Sequence, residues 1–284
     1  MTGSLGSTRR FSVGFNPDAS GTPSLAAMFG LFPSARAVGV FRTPSQTLPE
    51  WGSAKMSALR WPIESTDQNK PITWLVRFKN HEEFPRIRAW LDGMPDWLVE
   101  KVQIGRVRIC LSYHHEPEQY PDGGDPSPGV WGIRFIQFLD ACEGPRRSLV
   151  KLGPVYTTYR AKVDPGWTSN WGYMSGDPRV DFVGFDSYDD YGSGDYSASH
   201  AMFETCISHA SYVNKPLVIA EWGRERRAST DPDGEECAER MFSDYLYLAY
   251  SAAEVWAMLW FYSGGDNLTD RVLEQGAFRT LTEL

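Results

Sequence analysis

The chain has 284 residues, 42% hydrophobic and 23% charged, a balance that fits an ordinary globular protein and excludes a disordered or fibrous one. Its formal net charge of −8 excludes nucleic acid and anionic membrane as main partners, because either would require a basic surface. Four widely spaced cysteines (Cys110, Cys142, Cys206 and Cys237) form no C-x-x-C pair, so they encode no metal site or disulfide framework and read as buried thiols.

At the start, Thr8-Arg9-Arg10-Phe11 echoes a twin-arginine signal, but Gly14-Phe15-Asn16-Pro17-Asp18 follows where a long apolar stretch should be. The expectation is a chain without a signal peptide or membrane span: secreted if a signal has been removed, otherwise cytoplasmic or virion-associated. Eight β-rich runs then alternate with segments of helical period. The predicted strands are Phe11–Phe15, Ala37–Arg42, Ile72–Phe78, Val107–Tyr113, Leu149–Tyr156, Phe182–Ser187, Leu217–Glu221 and Val255–Tyr262. Several are near-continuous apolar runs, as expected of parallel strands covered by helices on one side and packed on the other.

Between the third and fourth strands, Phe84, Ile87, Leu91, Met94 and Leu98 repeat at steps of three and four and predict one amphipathic face. Ala198, Met202, Cys206 and Val213 mark a helix before the seventh strand. After it, Asp233-Gly234-Glu235-Glu236 has the pattern of a capped helix start, and Cys237, Met241, Tyr245, Leu248 and Ala252 keep the helical spacing. No repeat of solenoid period and no Ser/Gly linker divides the chain. The expected architecture is a single (β/α)8 TIM barrel domain over residues 1–284. Polar, Gly- and Pro-rich stretches at Asn16–Pro23, Glu118–Pro128, Asp189–Gly194 and Gly264–Thr269 follow predicted strands, which places them together on the C-terminal face.

That face is where barrel enzymes place their chemistry, and two strands end there on a glutamate. Ser112-Tyr113-His114-His115-Glu116-Pro117-Glu118 closes the fourth, and Pro216-Leu217-Val218-Ile219-Ala220-Glu221-Trp222-Gly223 closes the seventh. Two carboxylates facing each other across a barrel mouth are the equipment of retaining glycoside hydrolysis, with carboxyl groups about 5–5.5 Å apart. Glu116 as acid/base must hold a proton, so its surroundings should raise its pKa. Glu221 as nucleophile must be ionised, so it needs donors or cations, for which Arg42 and Tyr188 at strand ends are the candidates. His115 is placed to hold a substrate hydroxyl or orient a carboxylate. Glu118, on the same loop, is an alternative acid. Aromatic content of 14%, with 11 Trp, exceeds what core packing absorbs and suits a groove that stacks sugar rings.

At these residues the chain resembles the clan A glycoside hydrolases. His115-Glu116 and Ala220-Glu221-Trp222-Gly223 look like the clan's two catalytic motifs, and the His before the acid/base is similar to glycoside hydrolase family 26, best known for β-mannanases. Asp181-Phe182-Val183-Gly184-Phe185-Asp186-Ser187-Tyr188 resembles that family's sixth strand, whose Tyr contacts the nucleophile, and Trp260 matches a sugar-stacking Trp. Where the family continues with a Gly and an aromatic platform, this chain has Pro117-Glu118-Gln119-Tyr120-Pro121-Asp122-Gly123. The resemblance implies a mannanase-like endo-hydrolase of β-linked polysaccharide or oligosaccharide, a monomer without cofactor or metal. Its catalytic residues are Glu116 and Glu221, and its substrate-binding residues are Arg42, His115, Asp186, Tyr188, Trp222 and Trp260. Two alternatives stay open: a metal-dependent hydrolase using His114, His115, Glu116, Asp186 and Glu221, and a non-catalytic carbohydrate-binding barrel.

Overall fold

A computed structural model of the chain describes residues 11–17, 25–42, 47–53, 71–118, 127–188, 199–223, 235–262 and 272–283. The twin-arginine-like start, the loops after Asp189 and Gly264, most of Asn16–Pro23 and Glu118–Pro128, and the capping residues Asp233 and Gly234 lie outside them. The strands are β1 (Ser12–Pro17), β2 (Ala37–Arg42), β3 (Ile72–Phe78), β4 (Val107–Tyr113), β5 (Val150–Leu152), β6 (Val155–Thr157), β7 (Val183–Tyr188), β8 (Leu217–Gly223) and β9 (Val255–Tyr262). The helices are α1 (Leu25–Leu31), α2 (Phe84–Asp92), α3 (Asp96–Gln103), α4 (Pro128–Cys142), α5 (Thr158–Val163), α6 (Trp167–Asn170), α7 (Ser199–Val213), α8 (Glu235–Ala249) and α9 (Val272–Glu283).

All neighbouring strands are parallel, in the order β5-β4-β3-β2-β1-β9-β8-β7-β6. β5 and β6 are two halves of the predicted strand Leu149–Tyr156, separated by Gly153 and Pro154. Proline has no N–H to give a ladder, so the strand breaks there. The Gly153 amide donates to Leu111 O at 3.2 Å, while Leu152 O and Pro154 O accept from Asp181 and Gly184 at 2.7 and 2.8 Å. This short segment is thus stitched to β4 on one side and β7 on the other, and the sheet closes into a (β/α)8 barrel. A Cβ on Gly153 would lie 2.2 Å from Phe182 O, so closure at this point requires glycine.

The predicted helical face from Phe84 to Leu98 is buried as expected, but it is carried by two helices. Gly93 ends the first, its N–H bonded to Ala89 O, and Pro95 stands ahead of the second. The proline disfavours helical backbone in the residue before it. The core has two layers. Phe182 and the smaller side chains Ala37, Leu75, Cys110, Val155, Val218, Ala220, Ala257 and Leu259 form one cluster inside the barrel, whereas the alternate strand positions pack outward on the helices. All four cysteines are buried and free. No helix among the described residues is long and apolar enough to cross a membrane.

Candidate active site

Alternation along each strand carries the inner layer upward into a polar one. Above Leu75 on β3 comes Arg77, above Cys110 on β4 comes Ser112, above Val155 on β6 comes Thr157, and above Phe182, just before β7, come Asp186 and Tyr188 of that strand. β8 does not keep this rhythm. Phe185 pairs with Ile219 and Asp186 with Glu221, so Ala220 is an extra residue, and the register to β9 shifts over the same stretch. The bulge turns consecutive residues Ala220 and Glu221 toward the barrel interior. Trp222 then faces outward, its Nε1 donating to Asp244 Oδ2 on α8 at 3.0 Å.

Glu221 is held at both oxygens. Arg77 Nη1 lies 2.6 Å from Oε1, and the Tyr188 hydroxyl donates a short hydrogen bond to Oε2. Arg77 Nη1 also reaches Asp186 Oδ1 at 3.5 Å, and the Arg77 and Asp186 side chains have no solvent exposure. Burial works to lower the Arg77 pKa, but Glu221 and Asp186 outweigh it, so the guanidinium is held charged. Burial and the Glu221 charge push Asp186 well above the usual carboxylate range, beyond what Arg77 restores, which leaves it a neutral acid. The 3.5 Å contact is therefore the weaker arm of the fork. Burial and the same carboxylate drive the Tyr188 phenol up, so it remains a donor.

The other glutamate arrives differently. After Tyr113 the chain turns through left-handed backbone at both His114 and Glu116, each with φ of 52°, a conformation costly for residues with a Cβ. His115 Nε2 stands 3.8 Å from Glu116 Oε2. Burial, with Arg77 and Lys79 adding to it, lowers the His115 pKa far enough to keep the imidazole neutral. Glu116 keeps more exposure than its neighbours, its side chain being 15% accessible. Glu118 is buried, with Oε1 accepting from the Thr157 amide at 2.6 Å, and burial pushes its carboxyl up to about 8.

Among the described residues, His115, Glu116 and Asp186 offer ligand atoms within 4.8 Å of one another, the one grouping that could hold a metal ion. Its donor set is poor for that purpose. Arg77 already brings a full positive charge to Asp186, and only one imidazole is available.

Several expectations are corrected by these positions. The cation on Glu221 is Arg77, whereas Arg42 ends β2 half-buried, beside Phe78 in register, with its pKa lowered by burial. Trp222 and Trp260 do not wall the mouth. Trp260 packs on Phe278 of α9 and on Phe32, ring centroids 4.7 and 6.5 Å away, in the layer between strands and helices. Tyr113, Tyr156, Trp167 and Trp171 belong to that outer core as well. His115, Glu116, Asp186, Tyr188 and Glu221 are brought to the C-terminal end of the barrel. Arg77 is not among the expected site residues, although a lone charge inside the mostly apolar strand Ile72–Phe78 signals it.

No protein-family model matches the chain, and no curated protein sequence does. Solved structures do. A glucosidase from Croceicoccus marinus aligns with a TM-score of 0.63 at 12% identity, covering 97% of this chain and 66% of that one, so the chain spans about two thirds of its length. A family 128 (subgroup II) endo-β-1,3-glucanase from Pseudomonas viridiflava gives 0.59 at 15% identity, covering 94% and 96%. A family 26 β-mannanase from Bacteroides ovatus gives 0.59 at 12% identity, covering 96% and 88%. Over nearly its whole length, then, the chain has the barrel fold of solved glycoside hydrolases, with little of their sequence.

Proposed function

We propose that the chain is a glycoside hydrolase that cleaves β-linked polysaccharide or oligosaccharide by double displacement, and that residues 1–284 form its catalytic domain. The observation that carries this reading is the hold on Glu221: a buried guanidinium on one oxygen and a phenol on the other. Such a carboxylate is ion-paired and aimed, as suits a nucleophile at an anomeric carbon. Glu116, on a more open loop across Asp186, delivers a proton to the leaving oxygen and then withdraws one from the attacking water. As the glycosyl–enzyme bond forms, the negative charge on Glu221 is spent. Arg77 then keeps the Asp186 carboxyl oxygen as a hydrogen-bond acceptor at 3.5 Å.

Tyr188 donates to Glu221, Asp186 accepts from Arg77, and neutral His115 beside Glu116 is the candidate to meet a sugar hydroxyl. β-Mannan is the first substrate to test, because His115 precedes the acid/base as in family 26. β-1,3-Glucan is the second, given the family 128 fold neighbours. The decisive experiment is a product profile on both, by chromatography and by NMR of the anomeric proton during the first turnovers. Retention of configuration, lost in Glu221→Gln, is the expected result. Inverted product from the wild type would remove the nucleophile role from Glu221. Activity abolished by a chelator would instead move the chemistry to His115, Glu116 and Asp186.

A further inference from the structure

Glu118 is buried, two residues beyond Glu116, and takes no part in the chemistry above. Its position is explained by the broken fifth strand. β6 pairs with β7 on one side, but the ladder from β4 stops at Leu111–Leu152 on the other. The segment after β4 takes that vacant edge. The Glu116 amide donates to Val155 O at 2.8 Å, and the Thr157 amide donates to Glu118 Oε1 at 2.6 Å. The two bonds straddle Pro117 and hold the left-handed turn at Glu116 against the barrel. Both bonds oppose the relaxation of a backbone conformation that is costly for glutamate.

We propose that Glu118 is a positioning residue: its carboxyl, on the Thr157 amide, pins the loop of the acid/base Glu116 to the unpaired edge of β6. This rests on the hydrolase reading for its kinetic consequence, though not for the latch itself. Glu118→Gln keeps a carbonyl acceptor for Thr157, Glu118→Ala removes it, and Glu118→Met removes it while conserving volume, so that one acceptor-less variant remains folded if the cavity of the alanine is not tolerated.

Two measurements decide the matter. Amide hydrogen exchange on the full chain should show protection at Glu116 and Thr157 falling at least about tenfold in Glu118→Met and Glu118→Ala but held in Glu118→Gln, with melting temperature changing far less. On β-mannan or β-1,3-glucan, the acceptor-less variants should lose about 10- to 100-fold in kcat at nearly constant KM, while aryl glycosides with dinitrophenolate leaving groups are spared, since a misplaced acid matters only where a proton is needed. Glu118→Gln should keep the wild-type leaving-group dependence. Unchanged exchange at both amides in Glu118→Met overturns the latch. Changed exchange with unchanged leaving-group dependence overturns its role in positioning Glu116. A wild-type chain that cleaves no glycoside rejects the hydrolase reading, and the exchange result still decides the latch.

Discussion

The ends of β8 and β4 deliver their glutamates by opposite means. At β8 a bulge inside the sheet turns Glu221 inward, and side chains from two other strands, Arg77 and Tyr188, fix both its oxygens. At β4 the regular sheet has already ended. Glu116 sits on strained backbone held to β6 by one main-chain bond and by the Glu118 carboxyl, and its own carboxyl keeps partial exposure. Charge and rigidity are built into the first position, and access into the second. A nucleophile needs to be ionised and aimed throughout, whereas an acid/base must exchange its proton with water once per cycle. The asymmetry is what the proposed two-step displacement would require of two otherwise identical side chains.

The comparison breaks most sharply at Glu221. Glu221→Ala should lose on the order of 10⁴-fold or more in kcat/KM on every substrate, with azide restoring turnover and inverting the product. A residual tenth of wild-type rate would place the nucleophile elsewhere. Glu116→Ala should cost about 10²–10⁴-fold on polysaccharide but little on aryl glycosides with good leaving groups. Equal losses on both would erase the division of roles. Arg77→Met should reduce kcat/KM about 10²–10³-fold. It should also destabilise the fold by about 3–5 kcal/mol, because Glu221 is left as a buried charge without its cation. Chemical denaturation and kinetics on the same preparation separate the two losses.

Trp260→Ala sharpens the comparison from outside the site. Packed on Phe278 and Phe32, it should cost about 3–5 kcal/mol of stability with kcat/KM per folded molecule nearly unchanged. A large fall in kcat/KM without loss of melting temperature would return the indole to the substrate. The smallest effect is in the pH dependence of stability. Glu118 titrates in the folded state at about 8, above its ordinary value, so the stability it contributes is complete below the unfolded pKa and lost as pH rises through 8. Asp186, raised by burial and Glu221, acts in the same direction. His114 and His209, lowered by burial to about 3 and about 4, act in the opposite direction: their contribution is present above the unfolded histidine pKa and lost on acidification. Stability should therefore peak near neutrality and decline by on the order of 2 kcal/mol toward pH 9, a decline that Glu118→Gln should flatten. A flat denaturation midpoint from pH 6 to 9 in the wild type would contradict the buried neutral state of Glu118.

Much of the barrel was open to a reading of the residues because it is periodic. Runs such as Ile72–Phe78, Val107–Tyr113 and Val255–Tyr262 are mostly apolar and end at polar sequence, and their observed bounds match the expected ones. The split of the fifth strand was also written there, in Gly153-Pro154, since a proline cannot serve a central ladder. Trp260 is a case of unread phase. With Ala257 and Leu259 inside the barrel, alternation alone sends Trp260 to the helices, but which parity faces inward depends on the neighbouring strands.

What the sequence determined by itself was local: helix and strand periods, the ends of strands, and the two glutamates standing at those ends. Which side chains meet was decided by the closed sheet. The bulge at Ala220 shifts phase by one residue, and that single step sends Glu221 to Arg77 and Trp222 to Asp244. No propensity marks such a residue, because a bulge is set by the register of both neighbouring strands at once. Arg77 and Glu221 lie on β3 and β8, which are not neighbours in the sheet, so their pairing follows from closure of the barrel and from the low dielectric that makes an unpaired charge there untenable.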